Sequence, residues 1–306
     1  MSAQHTDAIS DSFGASIPVR RPQVQSRERK MIPREHGAYA ELLFPMAAVL
    51  LGGTPTVSAW LLATAAVACF LANEPILILF GQRGARAQRE QRGRARRALL
   101  LFMLVSIAAG IPGLWFAPQL AQYTVGLPLL LGVGVMMMAV EGLERTVIGE
   151  TMAAATLSST AVPLGLASGL SVYASSAVAA IWLVASLLGT SAVRLTVART
   201  RAKTDEELRS VRSKRALLIL VCLAAIGVGI AAPLAPRGPL WILTAALPVA
   251  VVVAAVAMAR PTARSLRSIG WGLVLANVGS LVAVVLALKL VQDFQAVKST
   301  LPFPMF

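Results

Sequence analysis

The distribution of lysine and arginine along a series of apolar segments is the feature that most constrains this chain. Nine apolar stretches lie between residues 37 and 291, and each is long enough to cross a bilayer. When the loops between them are assigned alternately to two sides, 25 of the 28 basic residues fall on one side. Basic residues in short loops stay in the cytoplasm. The sequence therefore predicts an all-α polytopic membrane protein of nine transmembrane helices, with its N-terminus cytoplasmic and its C-terminus outside.

The predicted spans are joined by very short loops on one side and by two long basic loops on the other. They cover residues 37–53, 56–80, 98–116, 123–140, 147–168, 174–193, 215–232, 239–258 and 269–291. Residues 1–32 are polar and contain no apolar stretch, which predicts a disordered cytoplasmic tail. Residues 33–293 form the predicted transmembrane domain, and residues 294–306 form a short outer tail.

The net charge of +14 does not indicate nucleic-acid binding. The basic residues stand at the ends of apolar segments and lack the interleaved aromatic residues of a nucleic-acid surface. Such positions are typical of contact with the headgroups of anionic lipids. We therefore expect membrane lipids, and no nucleic acid, among the partners of this chain.

Acidic residues inside apolar spans are the first candidates for a functional site, because charge within a bilayer is costly. Glu41, Glu74 and Glu150 lie at similar depth near the basic ends of spans one, two and five. Asn73 precedes Glu74, and Pro75 frees a backbone carbonyl that would suit a binding site. The alternative is a helix kink in which Glu74 pairs with a nearby arginine.

Further charged residues stand where spans four and six end. Span four ends with Glu141, Glu144 and Arg145, and a spacing of four predicts that Glu141 and Arg145 pair on one helix face. Arg194 and Arg199 follow span six. Together with the acids of the spans, these residues predict a polar chamber open to the cytoplasm, walled by spans one, two, four, five and six.

The acids of this chamber are candidates for two roles. Glu74, Glu141 and Glu150 are candidate catalytic residues that would move a proton. Because Mg²⁺ prefers carboxylate oxygens, Glu74 and Glu141 are also candidate ligands of a Mg²⁺ cofactor. The polar residues expected to contact a substrate are Arg34, Glu35, His36, Tyr39, Glu41, Asn73, Glu144, Arg145, Arg194 and Arg199.

The two long basic loops differ in pattern. Thr204 to Glu207 is a capping-box sequence, which predicts a helix that begins there and continues into span seven. The loop from Gln82 to Arg97 carries seven arginines. It is either a determinant of membrane orientation that meets anionic lipid headgroups or a lid that helps to hold an anionic substrate.

The string from Pro33 to Tyr39, Pro-Arg-Glu-His-Gly-Ala-Tyr, opens the first span. His36 at the start of a span can carry a proton, bind a metal or clamp a substrate. Alternatively, Arg34 and Glu35 only cap the helix, and His36 lies at the membrane interface. At the start of a nine-span basic membrane protein, this string resembles the opening of the YwiC-like family of bacterial membrane proteins. The resemblance covers about residues 30–291. It implies a bacterial cytoplasmic membrane and little defined chemistry.

More distantly, the layout is similar to that of the UbiA-type intramembrane prenyltransferases. Those proteins have nine helices, and acidic motifs after helices two and six hold a prenyl diphosphate through Mg²⁺ while an aromatic acceptor is alkylated. Asn73 and Glu74 stand where the first motif would begin, and residues 194–199 stand where the second would. Other residue types replace the later acids, so the resemblance implies that Arg194 and Arg199 grip an anion directly.

Three classes of function remain open from the sequence. The first is a UbiA-like protein that binds or transfers an amphipathic anionic substrate, such as an isoprenoid phosphate or a quinone precursor; as an enzyme it would be a transferase. The second is a proton- or ion-coupled transporter in which Glu41, Glu74 and Glu150 form the path. The third is a non-catalytic membrane partner of a redox or assembly system.

Overall fold

The computed structural model describes residues 36–231, 238–259, 261 and 265–300, and the regular structure of these residues is entirely helical. The helices are α1 (His36–Gly52), α2 (Val57–Leu79), α3 (Ala85–Trp115), α4 (Gln119–Thr124), α5 (Gly126–Val140), α6 (Val147–Ser159), α7 (Ala161–Ala167), α8 (Val172–Arg201), α9 (Asp205–Ala231), a 3₁₀ helix (Gly238–Ala246), α10 (Leu247–Ala259) and α11 (Leu266–Thr300). The predicted all-α class is confirmed for the described part of the chain.

Seven helical segments of the described residues are long and apolar enough to cross a membrane. They are Val57–Leu79, Ala85–Trp115, Gln119–Val140, Val172–Arg201, Asp205–Ala231, Ile242–Ala259 and Leu266–Gln292. The first predicted span is present as a shorter apolar helix, Tyr39–Gly52. The fifth is divided into α6 and α7. The fold is thus that of a multi-pass helical membrane protein, while the side that each end faces stays a prediction.

The division between α6 and α7 has a local cause. Pro163 lacks an N–H group, so the carbonyl of Ser159 has no partner four residues ahead. The hydroxyl groups of the two residues at the break donate to carbonyls three residues earlier in the chain. Ser159 Oγ donates to the Thr156 carbonyl at 2.8 Å, and Thr160 Oγ1 donates to the Leu157 carbonyl at 2.6 Å. The fifth apolar segment is therefore two short helices instead of one long one.

Helices α8 and α9 continue beyond the apolar segments that predict them. Helix α8 runs to Arg201 and α9 begins at Asp205, so a short turn joins them. The Glu207 N–H donates to Thr204 Oγ1 at 3.2 Å, and the Thr204 N–H donates to Glu207 Oε2 at 3.2 Å. These two bonds confirm the predicted capping box and the helix that begins there.

The apolar core lies among α1, α7, α8, α10 and α11. Its largest fully buried side chains include those of Leu42, Val49, Leu164, Val178, Val249, Val253, Val284 and Leu288. Small residues allow the helices to approach closely: a Cβ atom added at Gly165 of α7 would overlap the Ser175 side chain of α8. By contrast, α3 and α5 expose many large apolar side chains, which suits contact with lipid chains.

Candidate functional site

The turns that follow α2, α5 and α8 lie at one end of the helix bundle. Gln82 Nε2, in the turn after α2, donates to the Val140 carbonyl at the end of α5 at 2.7 Å. Arg194, near the end of α8, donates from Nη2 to the Arg145 carbonyl, just before α6, at 2.9 Å. We call this the basic end of the bundle; its turns are 80–84, 141–146 and 202–204.

A bidentate ion pair joins Glu74 of α2 to Arg83 in the turn after it. Arg83 Nε donates to Glu74 Oε1 at 3.1 Å, and Arg83 Nη2 donates to Glu74 Oε2 at 2.7 Å. The Glu74 side chain is only 9% exposed and that of Arg83 is 22% exposed. Both oxygens of a nearly buried carboxylate are therefore satisfied by one planar guanidinium, the geometry that arginine suits best. The alternative prediction, that Glu74 pairs with a nearby arginine, is confirmed.

The local backbone explains how Arg83 reaches back to Glu74. Helix α2 ends at Leu79, and Gly81 has a φ of +78°, a conformation that glycine adopts without steric cost. Gln88, on the first turns of α3, donates from Nε2 to the Leu79 carbonyl at 2.6 Å and closes the turn. The chain reverses within a few residues, so a side chain nine positions after Glu74 returns to its level.

The hydroxyl group of Tyr39, on α1, is buried beside this pair. The Tyr39 ring meets Phe70 of α2 edge to face, with ring centroids 5.2 Å apart. Phe70 is four residues before Glu74, so this contact places Tyr39 against the side of α2 that carries Glu74. Among the described residues, the hydroxyl has no hydrogen-bond partner. A buried polar group without a partner is costly, so this hydroxyl is suited to donate to a ligand that enters here.

A second ion pair at the basic end joins Glu150 to Arg194. The hydroxyl of Thr146 accepts from the Gly149 N–H at 3.1 Å and caps the start of α6, which sets Glu150 in its first turn. Arg194 Nε donates to Glu150 Oε2 at 2.7 Å. The Arg194 side chain is 38% exposed and the Glu150 side chain is 37% exposed. Water therefore reaches this pair more readily than it reaches Glu74 and Arg83. The pair fastens the end of α8 to the start of α6.

The predicted common helix face of Glu141 and Arg145 is wrong. Helix α5 ends at Val140, and Gly142 has a φ of +74°, so the residues after Glu141 turn away from the helix axis. Arg145 instead lies 3.8 Å from Glu144, measured from Nε to Oε1. Glu141 is exposed in this turn. It therefore lies in the solvent-accessible part of the basic end.

Arg194 and Arg199, predicted to act together, face different neighbours. Five residues correspond to about 140° around a helix axis, so the two side chains leave α8 in different directions. Arg194 bonds to Glu150, whereas Arg199 lines a cleft with Arg215 of α9. The apolar segment of span six ends at residue 193, so hydropathy alone does not place these two arginines on a helix.

The remaining predicted residues are placed only in part. Arg34 and Glu35 lie outside the described residues, and so does the side chain of His36, which begins α1. Glu41 is half-buried on α1, and Asn73 is half-buried on α2 next to Glu74. The predictions that these five residues bind substrate are untested.

Two arginines that contact a buried acid or line a cleft, Arg83 and Arg215, are not singled out by the sequence patterns. Arg83 was counted only as one of seven loop arginines, although the glycine two positions before it signals a tight reversal toward Glu74. Arg215 was counted only as the end of a basic loop. The capping box at Thr204 predicts a helix that includes Arg215, so helical spacing assigns this side chain to one side of that helix.

The predicted Mg²⁺ ligands do not fit a metal site in their present arrangement. Both oxygens of Glu74 accept from Arg83, so the positive charge that a cation would supply is already provided. Glu141 is exposed in a separate turn. Within the described residues, no three His, Cys, Asp or Glu side chains are grouped as metal ligands would be. We therefore derive no chemical step through Mg²⁺, and that cofactor stays a prediction.

The helices and the charged end together define a class, the α-helical multi-pass membrane proteins. Within that class, residues 32–164 match the family described as YwiC-like protein. The match includes α1 to α6, with Glu74, Arg83 and Glu150, and stops before α8. The resemblance carried by the string from Pro33 to Tyr39 is thereby confirmed over residues 32–164, where the chain is similar to the YwiC-like family.

Comparison with curated proteins and with solved structures adds no further relative. No curated protein matches the chain. No solved structure matches it either. The similarity to UbiA-type prenyltransferases therefore stays a prediction that derives from the layout of spans and loops.

Proposed function

We propose that this YwiC-like protein binds an amphipathic anion of the isoprenoid phosphate or quinone-precursor class at the basic end of its bundle. The observation that carries the proposal is the nearly buried Glu74–Arg83 pair beside the unpartnered hydroxyl of Tyr39. Ionisable groups within membrane helices are costly and are functional candidates by default. An apolar tail would lie among the helices, and the anionic head would meet Arg83.

Binding at this site is an exchange of partners. A phosphate or carboxylate presents oxygens to a guanidinium as a glutamate does, so an incoming anion can replace Glu74 on Arg83. Glu74 is then left without its cation, a cost that the contacts of the anion must exceed. The Tyr39 hydroxyl is available to donate to the anion. Each of these three groups has a distinct part: Arg83 grips the anion, Tyr39 orients it, and Glu74 competes with it for Arg83.

Transfer of the isoprenoid group is the finer form of this proposal and rests on the similarity to UbiA-type enzymes. In such a transfer, the bond between the prenyl carbon and the diphosphate oxygen breaks, a bond to the acceptor forms, and the acceptor loses a proton. A carboxylate at the basic end, Glu74 or Glu150, would accept that proton. In the same proposal, the protein lies in a bacterial cytoplasmic membrane with its basic end in the cytoplasm, as the distribution of basic residues indicates.

A thermal-shift titration of the full chain in neutral detergent tests the binding step. A ligand that binds the folded protein raises its apparent stability. We expect farnesyl diphosphate to stabilise the wild type without Mg²⁺ and to lose at least about ten-fold in affinity in Arg83→Gln, or about 1.4 kcal/mol. Because Glu74 competes with the anion, Glu74→Gln should bind as tightly as the wild type or more tightly. Glu90→Gln, which changes an exposed acid of α3, is the matched control.

The possible outcomes separate the alternatives. Loss of binding in Arg83→Gln with retention in Glu74→Gln supports the exchange. A shift that requires Mg²⁺ and disappears in Glu74→Gln would instead favour a metal-held diphosphate. Equal binding by the wild type and Arg83→Gln would reject the site. If no prenyl diphosphate shifts the wild type and the variants leave cellular function intact, a non-catalytic membrane partner is the better description.

The second candidate is a proton- or ion-coupled transporter, and the interrupted helix α6–α7 favours it. Interrupted membrane helices are typical of transporter binding sites. The Ser158 hydroxyl, just before the break, is buried and has no hydrogen-bond partner among the described residues. Flux of simple anions into liposomes that contain the protein tests this candidate, with Ser158→Ala and Glu150→Gln as variants. Flux that equals that of protein-free liposomes would exclude it.

A further inference from the structure

A cleft lies between the basic-end halves of α8, α9 and α10, apart from the Glu74–Arg83 pair. Among the residues that the structure describes, its polar lining consists of Arg199, Arg215 and Thr196 and includes no acidic side chain. The remaining lining is apolar and includes Leu195, Val211 and Val256. The described lining of the cleft therefore combines two positively charged side chains with an apolar surface.

Helical spacing shows that this lining is a continuous face. On α8 the lining residues are Ala192, Leu195, Thr196 and Arg199, at steps of three, one and three. On α9 they are Val211, Arg215 and Leu218, at steps of four and three. Residues three and four apart share one side of a helix. The two arginines are thus presented toward the same space by two neighbouring helices.

The guanidinium of Arg215 has a hydrogen-bond donor without an acceptor in the described lining of this cleft. Its Nε is buried and has no hydrogen-bond partner among the described residues. Thr196, the uncharged polar side chain among the described lining residues, forms its hydrogen bond with the Ala192 carbonyl, to which its hydroxyl donates at 2.9 Å. A buried donor that forms no hydrogen bond destabilises the fold, and the cost is larger for a charged group. An acceptor oxygen in the cleft would remove this cost.

We propose that this cleft binds one phosphate group, as found in the headgroup of an anionic phospholipid or in free phosphate. The buried Nε–H of Arg215 needs an acceptor, and the guanidinium of Arg199 brings a second positive charge to the same cleft, which suits one small anion. The apolar wall beside the arginines would accept the start of an acyl chain. This site is separate from the proposed isoprenoid site, since Tyr39, Glu74 and Arg83 are not among its described lining residues.

Titration of the full chain in neutral detergent tests the proposal by native mass spectrometry and thermal shift. The probes are short-chain phosphatidylglycerol, short-chain phosphatidylcholine and inorganic phosphate. We expect phosphatidylglycerol to bind at least about ten-fold more tightly than phosphatidylcholine, whose charge is balanced. Binding of inorganic phosphate as well would identify a free anion as a sufficient ligand, whereas binding of phosphatidylglycerol alone would identify a lipid headgroup.

Three variants locate the site. Arg215→Gln and Arg199→Gln should each weaken the binding of phosphatidylglycerol by about ten-fold, equivalent to about 1.4 kcal/mol. Arg212→Gln removes the same charge from an exposed position of α9 and should change it less than two-fold. Arg199 is exposed, so its variant should fold even if Arg215→Gln does not.

Two results would overturn the proposal. Equal loss in Arg212→Gln and Arg199→Gln would mean that general surface charge attracts the lipid. No preference of the wild type for phosphatidylglycerol or phosphate over phosphatidylcholine would mean that the cleft holds no phosphate. Arg86→Gln, which changes an exposed arginine of α3 outside both proposed sites, should leave the binding of phosphatidylglycerol unchanged.

Discussion

Breaking the Glu74–Arg83 pair should destabilise the fold far more than breaking an exposed pair of the same chemistry. Two charge-assisted hydrogen bonds, at 3.1 and 2.7 Å, join these side chains. Removing one partner of a buried pair costs about 3–5 kcal/mol, because the other charge is left uncompensated. Arg83 retains some access to water at 22% exposure, so we expect roughly 2–3 kcal/mol for Glu74→Gln.

A double-mutant cycle measures the interaction itself. Glu74→Gln, Arg83→Gln and the double variant are unfolded in mixed detergent micelles, and the apparent free energy of unfolding is compared with that of the wild type. We expect a coupling energy of about 1–3 kcal/mol, as for residues in one hydrogen-bonded contact. The matched control is Arg86 and Glu90 on α3, whose Nε and Oε1 are also 2.7 Å apart. Their coupling energy should be well below that of the buried pair, because exposed ion pairs are screened by water and contribute little.

The two pairs differ in burial and in the second hydrogen bond of the buried pair. The control side chains are 73% and 47% exposed, whereas those of the buried pair are 22% and 9% exposed. The shortest distance between charged atoms is the same in both pairs. If the coupling energy of Glu74 and Arg83 is no larger than that of Arg86 and Glu90, burial does not strengthen this pair and the reasoning is refuted.

Two further substitutions test the packing and the helix ends. Gly165→Ala should destabilise the fold by about 1–3 kcal/mol, because its Cβ would overlap Ser175; Gly227→Ala, where nothing lies within 4 Å, should be neutral or stabilising by at most about 1 kcal/mol. Equal effects of both in thermal unfolding would contradict the packing argument. Thr146→Ala should cost about 1 kcal/mol by removing the cap on the Gly149 N–H. Thr146→Ser should restore most of that stability in the same measurement, and failure to do so would show that the cap contributes little.

Hydropathy and capping patterns predicted much of the helical layout. Seven of the nine apolar segments are helices of spanning length in the described residues, and the capping box of Thr204 and Glu207 begins α9 as expected. These features are local, because each depends on residues within a few turns. The division of the fifth segment at Thr160 was missed even though Pro163 lay within it. A sum of hydropathy over about twenty residues does not register a single missing N–H.

The arrangement of charges at the basic end could be predicted only in part. The pairing of Glu74 with an arginine was one of the alternatives, since a buried acid needs a cation. Which of seven loop arginines would reach it depends on the backbone at Gly81, and this is a property of the turn. The separation of Arg194 from Arg199 depends on α8 continuing as a helix to Arg201, beyond its apolar segment. The apolar segment ends before the helix does, so hydropathy alone does not show which side of α8 each arginine occupies.

The excess of basic residues therefore divides into two kinds of arginine at this end of the bundle. Arg83 and Arg194 each hold a carboxylate of the chain, so an anion that binds them must first displace Glu74 or Glu150. The cleft that contains Arg215 has no acid among its described lining residues. An internal competitor lowers the affinity for an anion, because the existing ion pair must break before the anion binds. Removing the competitor, as in Glu74→Gln, should therefore tighten the binding of an anion to Arg83, whereas no acid among the described lining residues opposes binding at the cleft.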